Sequence, residues 1–161
     1  LIVTTGGASV GEHDLIRSVL GEHGLALDFW KIAMRPGKPL IFGRFGDTPL
    51  LGLPGNPVST MVCGWLFLRP ALWALQGAEA PENRVAATLG RDLPANDRRE
   101  DYLRARIERT ESGFVATPFP AQDSSMLSLL AAADGLVIRP PNAPAAARGE
   151  TVDAVLFGDG I

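Results

Sequence analysis

Three turns within the first sixty residues hold the residue types best suited to anion chemistry. The first, Thr4-Thr5-Gly6-Gly7-Ala8-Ser9-Val10-Gly11-Glu12, joins glycines that let a ligand approach the main chain to a hydroxyl from Ser9. Set between a strand and a helix, its N–H groups would surround a phosphate at the positive end of the helix dipole. Neither the phosphate-loop spacing nor the dinucleotide glycine spacing is present, and a plain strand-to-helix turn capped by Ser9 would use the same residues. Glu12 and Asp14 follow in the first helical turn. Carboxylates there complement the dipole as solvated groups or, beside a bound phosphate, hold Mg²⁺, which favours oxygen ligands shared between protein and substrate.

The second turn, Arg35-Pro36-Gly37-Lys38-Pro39, carries a basic cluster. Of 15 lysines and arginines in the chain, only Lys31 and Lys38 are lysines, and both fall within eight residues of each other with Arg35 between them. Such a set can clamp an oxyanion, arginine as a planar fork and lysine as a point charge, or can stand as a solvated basic loop. The third turn, Gly52-Leu53-Pro54-Gly55-Asn56-Pro57-Val58-Ser59, combines prolines that preset φ with a helix start. Asn56 reads as the N-cap and Pro57 as the first helical residue, leaving the N–H groups of Gly55 and Asn56 to face a ligand.

The elements that must position these turns follow from periodicity. Leu1 to Val3 is a short apolar strand, and Glu12 to His23 places Leu15, Ile16, Val19 and Leu20 on one helical face before Gly24. Leu25–Met34, Leu40–Phe45 and Leu50–Leu53 read as strands, and Val58–Leu75 as an apolar helix kinked at Pro70. Strands and helices in this succession argue for an α/β arrangement whose ligands meet loops at strand ends. Beyond Gln76-Gly77 a proline-bearing linker leads to short strand-like runs at Val85–Leu89, Tyr102–Arg109, Phe114–Thr117, Gly135–Ile138 and Thr151–Phe157, with a short helix within Ser124–Ala133. Five such runs suggest a small barrel or sandwich. The expected division is 1–77 for the α/β part and 78–161 for the all-β part.

Composition bounds the setting. At 161 residues, 46% hydrophobic, with a formal net charge of −3, the chain can bury an ordinary core and has no bulk attraction for nucleic acid or an anionic membrane. The lone Cys63 sits in an apolar run and reads as a buried core residue, favouring a reducing compartment. No signal-peptide pattern is present, and prolines and glycines break the uncharged run Thr48–Leu68 as a membrane span. The chain opens directly on a strand, as a fragment would.

The three turns, in this order and spacing, closely resemble the molybdopterin molybdenumtransferase family, the MoeA proteins and the gephyrin E domain. The first turn is shared with the molybdopterin adenylyltransferases; the second and third, and the all-β region after Gly77, are more specific. The resemblance implies a C-terminal fragment: a partial adenylyltransferase-like three-layer domain followed by a small β-barrel domain. It implies a cytoplasmic enzyme, homodimeric as the parent, that inserts molybdate into adenylylated molybdopterin and releases AMP with Mg²⁺.

By the same resemblance Gly6, Gly7, Ser9 and Gly11 would meet the phosphate or pterin end of that substrate, and Pro54, Gly55, Asn56, Pro57 and Ser59 would shape the facing wall. Asp14, Lys31, Arg35 and Lys38 match catalytic positions, with arginine at 35 where the family usually has lysine. Glu12 and Asp14 are the Mg²⁺ candidates. In the barrel, Asp101-Tyr102-Leu103-Arg104 and Gln122-Asp123-Ser124-Ser125 resemble segments that bind molybdate, assigning Lys38, Arg104 and Ser124 to the oxyanion, with Ser125 as the alternative to Ser124. An adenylyl-transfer step and a non-catalytic scaffold module like that of gephyrin are the competing expectations.

Overall fold

The computed structural model describes residues 1–6, 21 and 23–158. These fall into two units, Leu1–Glu79 and Ala80–Ile161.

The first unit is built on β1 (Ile2–Thr5), β2 (Leu25–Trp30), β4 (Ile41–Phe45) and β5 (Thr48–Leu53), in the order β1-β5-β4-β2, with a two-residue strand β3 (Met34–Arg35) between β2 and β4 in sequence. The sheet is mixed. β1 runs parallel to β5, while β4 pairs antiparallel with both β5 and β2. Alternation along β5 explains its two apolar faces: Leu50 joins Leu25 and Ile41, whereas Leu51 and Leu53 join Leu40 and Cys63 on the other side.

That second face is covered by α1 (Pro57–Cys63), in which Val58, Val62 and Cys63 are wholly buried. The helical run continues through a π-type turn, Gly64–Leu68, into α2 (Arg69–Leu75). It has the length and mean hydropathy of a membrane-crossing helix, yet its packing on β5 makes it a core helix. The single kinked helix expected over Val58–Leu75 is therefore three pieces. Pro70 has no N–H to return to the preceding turn, and the irregularity spreads upstream, where the Arg69 N–H bonds Gly64 O five residues back.

The strand expected over Leu25–Met34 also ends early. Lys31 adopts a left-handed φ of 68°, which turns the backbone out of the ladder after Trp30. The helix expected over Glu12–His23 lies outside the described residues, apart from Gly21 and His23.

In the second unit β6 (Arg84–Leu89), β7 (Glu100–Thr110), β8 (Gly113–Pro118), β9 (Gly135–Arg139) and β10 (Thr151–Leu156) follow one another as β7-β8-β6-β10-β9, and β9 pairs back onto β7. This closes a five-stranded barrel in which only β6 and β8 are parallel. Its narrow interior is filled by small side chains, Ala87, Ala105, Ala116 and Ala154, packed with Leu89, Ile107 and Val137. A short helix, α3 (Leu127–Ala131), crosses between β8 and β9. The fold is thus a mixed α/β domain followed by a small β-barrel.

Candidate functional site

The first and third turns meet at β1 and β5. The Gly6 N–H donates to Leu53 O at 3.2 Å, extending the parallel register that ends at Thr5 and Leu53. Gly55 lies directly against it: a Cβ there would stand 3.2 Å from Gly6 Cα. Glycine at 55 is what lets the two backbones approach so closely, while glycine at 6 suits its left-handed φ of 82°.

Beyond Gly55 the turn is braced by its own side chains. Asn56 Oδ1 accepts from the Ser59 N–H at 3.2 Å and from the Ser59 hydroxyl at 3.4 Å. The Thr60 hydroxyl reaches Pro54 O and, at 2.9 Å, Asn56 O. Asn56 and the buried Ser59 therefore give these contacts to the helix start. Whatever they present to a ligand is presented from a stiffened turn whose prolines already restrict φ.

The basic turn is closed by three backbone bonds. Lys31 N donates to Leu40 O (3.1 Å), Ile32 N to Lys38 O (3.0 Å) and Leu40 N to Gly37 O (3.1 Å). These set Lys31 and Lys38 on facing legs of one loop, and the side chains of Lys31, Arg35 and Lys38 are exposed. Lys31 Nζ sits 3.6 Å above the Trp30 ring, an attraction of about 0.5–1 kcal/mol that offsets much of the roughly 1–2 kcal/mol cost of its left-handed backbone.

Gly37 has φ of 119° and packs on Cys63, so that a Cβ would fall 2.6 Å from the sulfur. The helix that begins at the third turn is thereby the floor of the second. Burial pushes the Cys63 thiol up to about 12, which leaves it an inert packing group at neutral pH.

The second and third turns and the start of the first, through Gly6, thus belong to one assembly within the first unit. Gly7, Ser9, Gly11, Glu12 and Asp14, the remainder of the first turn, lie outside the described residues. Among the described residues no group of three or more His, Cys, Asp or Glu side chains could hold a metal ion.

The barrel holds the other two expected residues. Arg104, on β7, is 1% exposed. Its guanidinium donates to Asp123 O and Met126 O, each at 3.0 Å, and to Gln122 Oε1 at 3.3 Å. Ser124 is half-buried between the first two of these carbonyls in sequence, in the loop before α3. The structure therefore joins Arg104 to the serine loop through the main chain on either side of the serine.

Desolvation lowers the Arg104 pKa, with Asp123 acting in the opposite sense. The Asp123 carboxyl is held below the usual carboxylate range by hydrogen bonds from Ser125, whose N–H reaches Oδ1 at 2.8 Å. Sequence reasoning singled out Arg104 and Ser124 but gave Gln122 and Asp123 no role. A signal was present: Pro118-Phe119-Pro120 ends a strand with poor donors, so a neighbouring side-chain amide becomes valuable there.

Comparison with known proteins gives this arrangement a context. Residues 1–74 match the family described as "Probable molybdopterin binding domain" and residues 86–157 the "MoeA C-terminal region (domain IV)". The chain is 34% identical over 159 residues to the molybdopterin molybdenumtransferase of Bacillus subtilis, covering 97% of this chain and 36% of the relative. It is 32% identical to gephyrin of Dictyostelium discoideum over 98% of this chain and 25% of that protein. The crystal structure of the molybdopterin biosynthesis MoeA protein from Pyrococcus horikoshii superposes with a TM-score of 0.77 at 30% identity, covering 98% of this chain and 37% of that one. The chain spans little more than a third of the length of the full-width relatives it matches.

Proposed function

The chain belongs to the MoeA, or molybdopterin molybdenumtransferase, family of molybdenum cofactor biosynthesis, and we propose that the protein carrying it inserts molybdate into adenylylated molybdopterin with release of AMP. The observation that carries this reading is the seating of Gly6 on Gly55 and of Gly37 on Cys63, which gathers an open glycine backbone and a basic loop around one helix start. Such a surface suits a substrate with several negative charges.

In this reading Gly6, with Gly7, Ser9 and Gly11 beyond it, accepts the phosphate or pterin end of the substrate, and Pro54, Gly55, Asn56, Pro57 and Ser59 form the opposing wall. Lys31, Arg35 and Lys38 neutralise charge as the phosphoanhydride bond breaks. Lys38 in the first unit and Arg104 and Ser124 in the second are each assigned to molybdate, a tetrahedral dianion that accepts from several donors. Asp14 acts at the reacting phosphate, and Glu12 and Asp14 are the carboxylates to which Mg²⁺ is assigned. The enzyme works by position and charge, without a covalent intermediate. The presence of the barrel favours this step over adenylyl transfer. We place the parent protein in the cytoplasm as a homodimer.

The test is AMP release by the purified full-length protein from adenylylated molybdopterin, with and without molybdate. Molybdate-dependent AMP release is expected, and Lys38→Ala should raise the molybdate concentration needed for half-maximal rate by about tenfold, the loss of one charge-assisted contact of about 1.4 kcal/mol. AMP release independent of molybdate would sink the proposal.

A further inference from the structure

We propose that Gln122 is a positioning residue for the oxyanion site, fixing both Arg104 and the serine loop by standing in for a missing stretch of β-strand. The inference rests on the molybdate reading above and concerns how that site is built.

On β7, Ala105 pairs with Pro118, the last residue of β8. One further ladder bond follows, from Phe119 N to Arg104 O at 3.0 Å, and then the backbone turns away at Pro120, which has no N–H. The inward Arg104 N–H would be left without a ladder acceptor. Gln122 supplies one: its Oε1 accepts from Arg104 N at 3.0 Å while its Nε2 donates to Arg104 O at 3.0 Å. The side-chain amide thus copies the paired donor and acceptor of a neighbouring peptide.

Two further bonds tie this mimic to the site. The same Oε1 accepts from Arg104 Nε at 3.3 Å, and Nε2 also donates to Phe119 O at 2.9 Å. Gln122 therefore holds the root and the head of the arginine together, and the arginine in turn grips Asp123 O and Met126 O on either side of Ser124 and Ser125. From the outside, Asp123 completes the bracing through Ser125 N. The serine hydroxyls are presented on a loop pinned at three main-chain points, the preorganisation that recognition of a small tetrahedral anion requires.

The chemistry of the amide makes the idea testable. Gln122→Glu retains acceptors for Arg104 N and Nε but turns the donor toward Arg104 O and Phe119 O into a repelling oxygen. Its charge also pairs off the guanidinium.

In the full-length protein, Gln122→Glu and Gln122→Ala should each raise the KM for molybdate by about tenfold or more, the effect of losing one or two buried hydrogen bonds. The KM for adenylylated molybdopterin should stay within about twofold, a split that lost stability alone does not produce. Asp123→Ala, at an exposed residue whose loss leaves the core intact, should raise the molybdate KM by about threefold to fivefold through the outer brace.

An unchanged molybdate KM in Asp123→Ala and in whichever Gln122 variants fold would overturn the inference, as would equal rises in both KM values. If the wild type shows no molybdate-dependent AMP release, the functional reading itself fails and takes this inference with it. An active wild type with unaltered variants removes the inference alone.

Discussion

Single side chains in this protein act less by touching a ligand than by setting where backbone can go. Cys63 is the plainest case. Wholly buried beside Gly37, it fills the space a Cβ would need and so fixes the loop that bears Lys38. Its thiol titrates at about 12 in the folded chain against an ordinary value of 9.0. Between these values the unfolded chain has lost a proton that the folded chain retains, so stability must fall as pH rises through that window. From pH 8 to pH 10 the loss is about 1.4 kcal/mol. Urea unfolding at both pH values, in wild type and Cys63→Ala, isolates the contribution, because other titrating groups cancel in the difference. Equal pH dependence in the two proteins would show that the folded thiol ionises normally. The same burial makes Cys63 unreactive toward thiol reagents until the protein unfolds.

Elements inherit their limits from such residues, and this is where the sequence was readable and where it was not. Every strand anticipated from apolar runs is present, because a run such as Leu50–Leu53, which supplies apolar side chains to both faces of β5, is a local signal. The five barrel strands were legible for the same reason. Two boundaries were not. Lys31 ends β2 by a left-handed backbone that no lysine signals in sequence, and it is held there by bonds to Leu40 and by its seat on Trp30. Pro70 gave a true warning of irregularity, but the distortion settled at Gly64–Leu68, where five-residue bonds replace four-residue ones.

The Asn56 cap was legible, and it separates two roles that coincide at one residue. Asn56→Ala should destabilise the protein by about 1 kcal/mol through the lost cap. Asn56→Asp keeps an acceptor for Ser59 N and should hold stability within about 0.5 kcal/mol of wild type, while its charge weakens binding of an anionic pterin. Chemical unfolding and ligand titration on the same preparations compare the two effects. Undiminished pterin binding by Asn56→Asp would mean that the turn does not face the ligand's anionic end.

At the scale of the whole molecule the two units differ in how they finish their sheets. The first has open edges: among the described residues β1 and β2 terminate the order β1-β5-β4-β2, and on β1 the side chains of Ile2 and Val3 are 38% and 39% exposed. Unpaired strand edges with apolar side chains invite association with other chains. In the second unit the large apolar side chains exposed among the described residues, Met126 and Leu127, lie outside the strands. Each of its five strands pairs with two others of the same unit, and β9 closes the order by pairing back onto β7. Among the described residues the core cluster from Ala87 to Leu156 is made of residues of that unit. Arg104 and Arg139, buried and hydrogen-bonded to loop carbonyls, fasten the connections between its strands. A segment of this kind carries its own folding information, so residues 80–161 expressed alone should be monomeric and unfold in one cooperative step. Residues 1–79 alone should self-associate. Sedimentation and urea unfolding monitored by far-UV and near-UV circular dichroism decide between these behaviours. A barrel fragment lacking near-UV signal, or one that aggregates as readily as the first unit, would show that closure of the sheet is not sufficient for its stability.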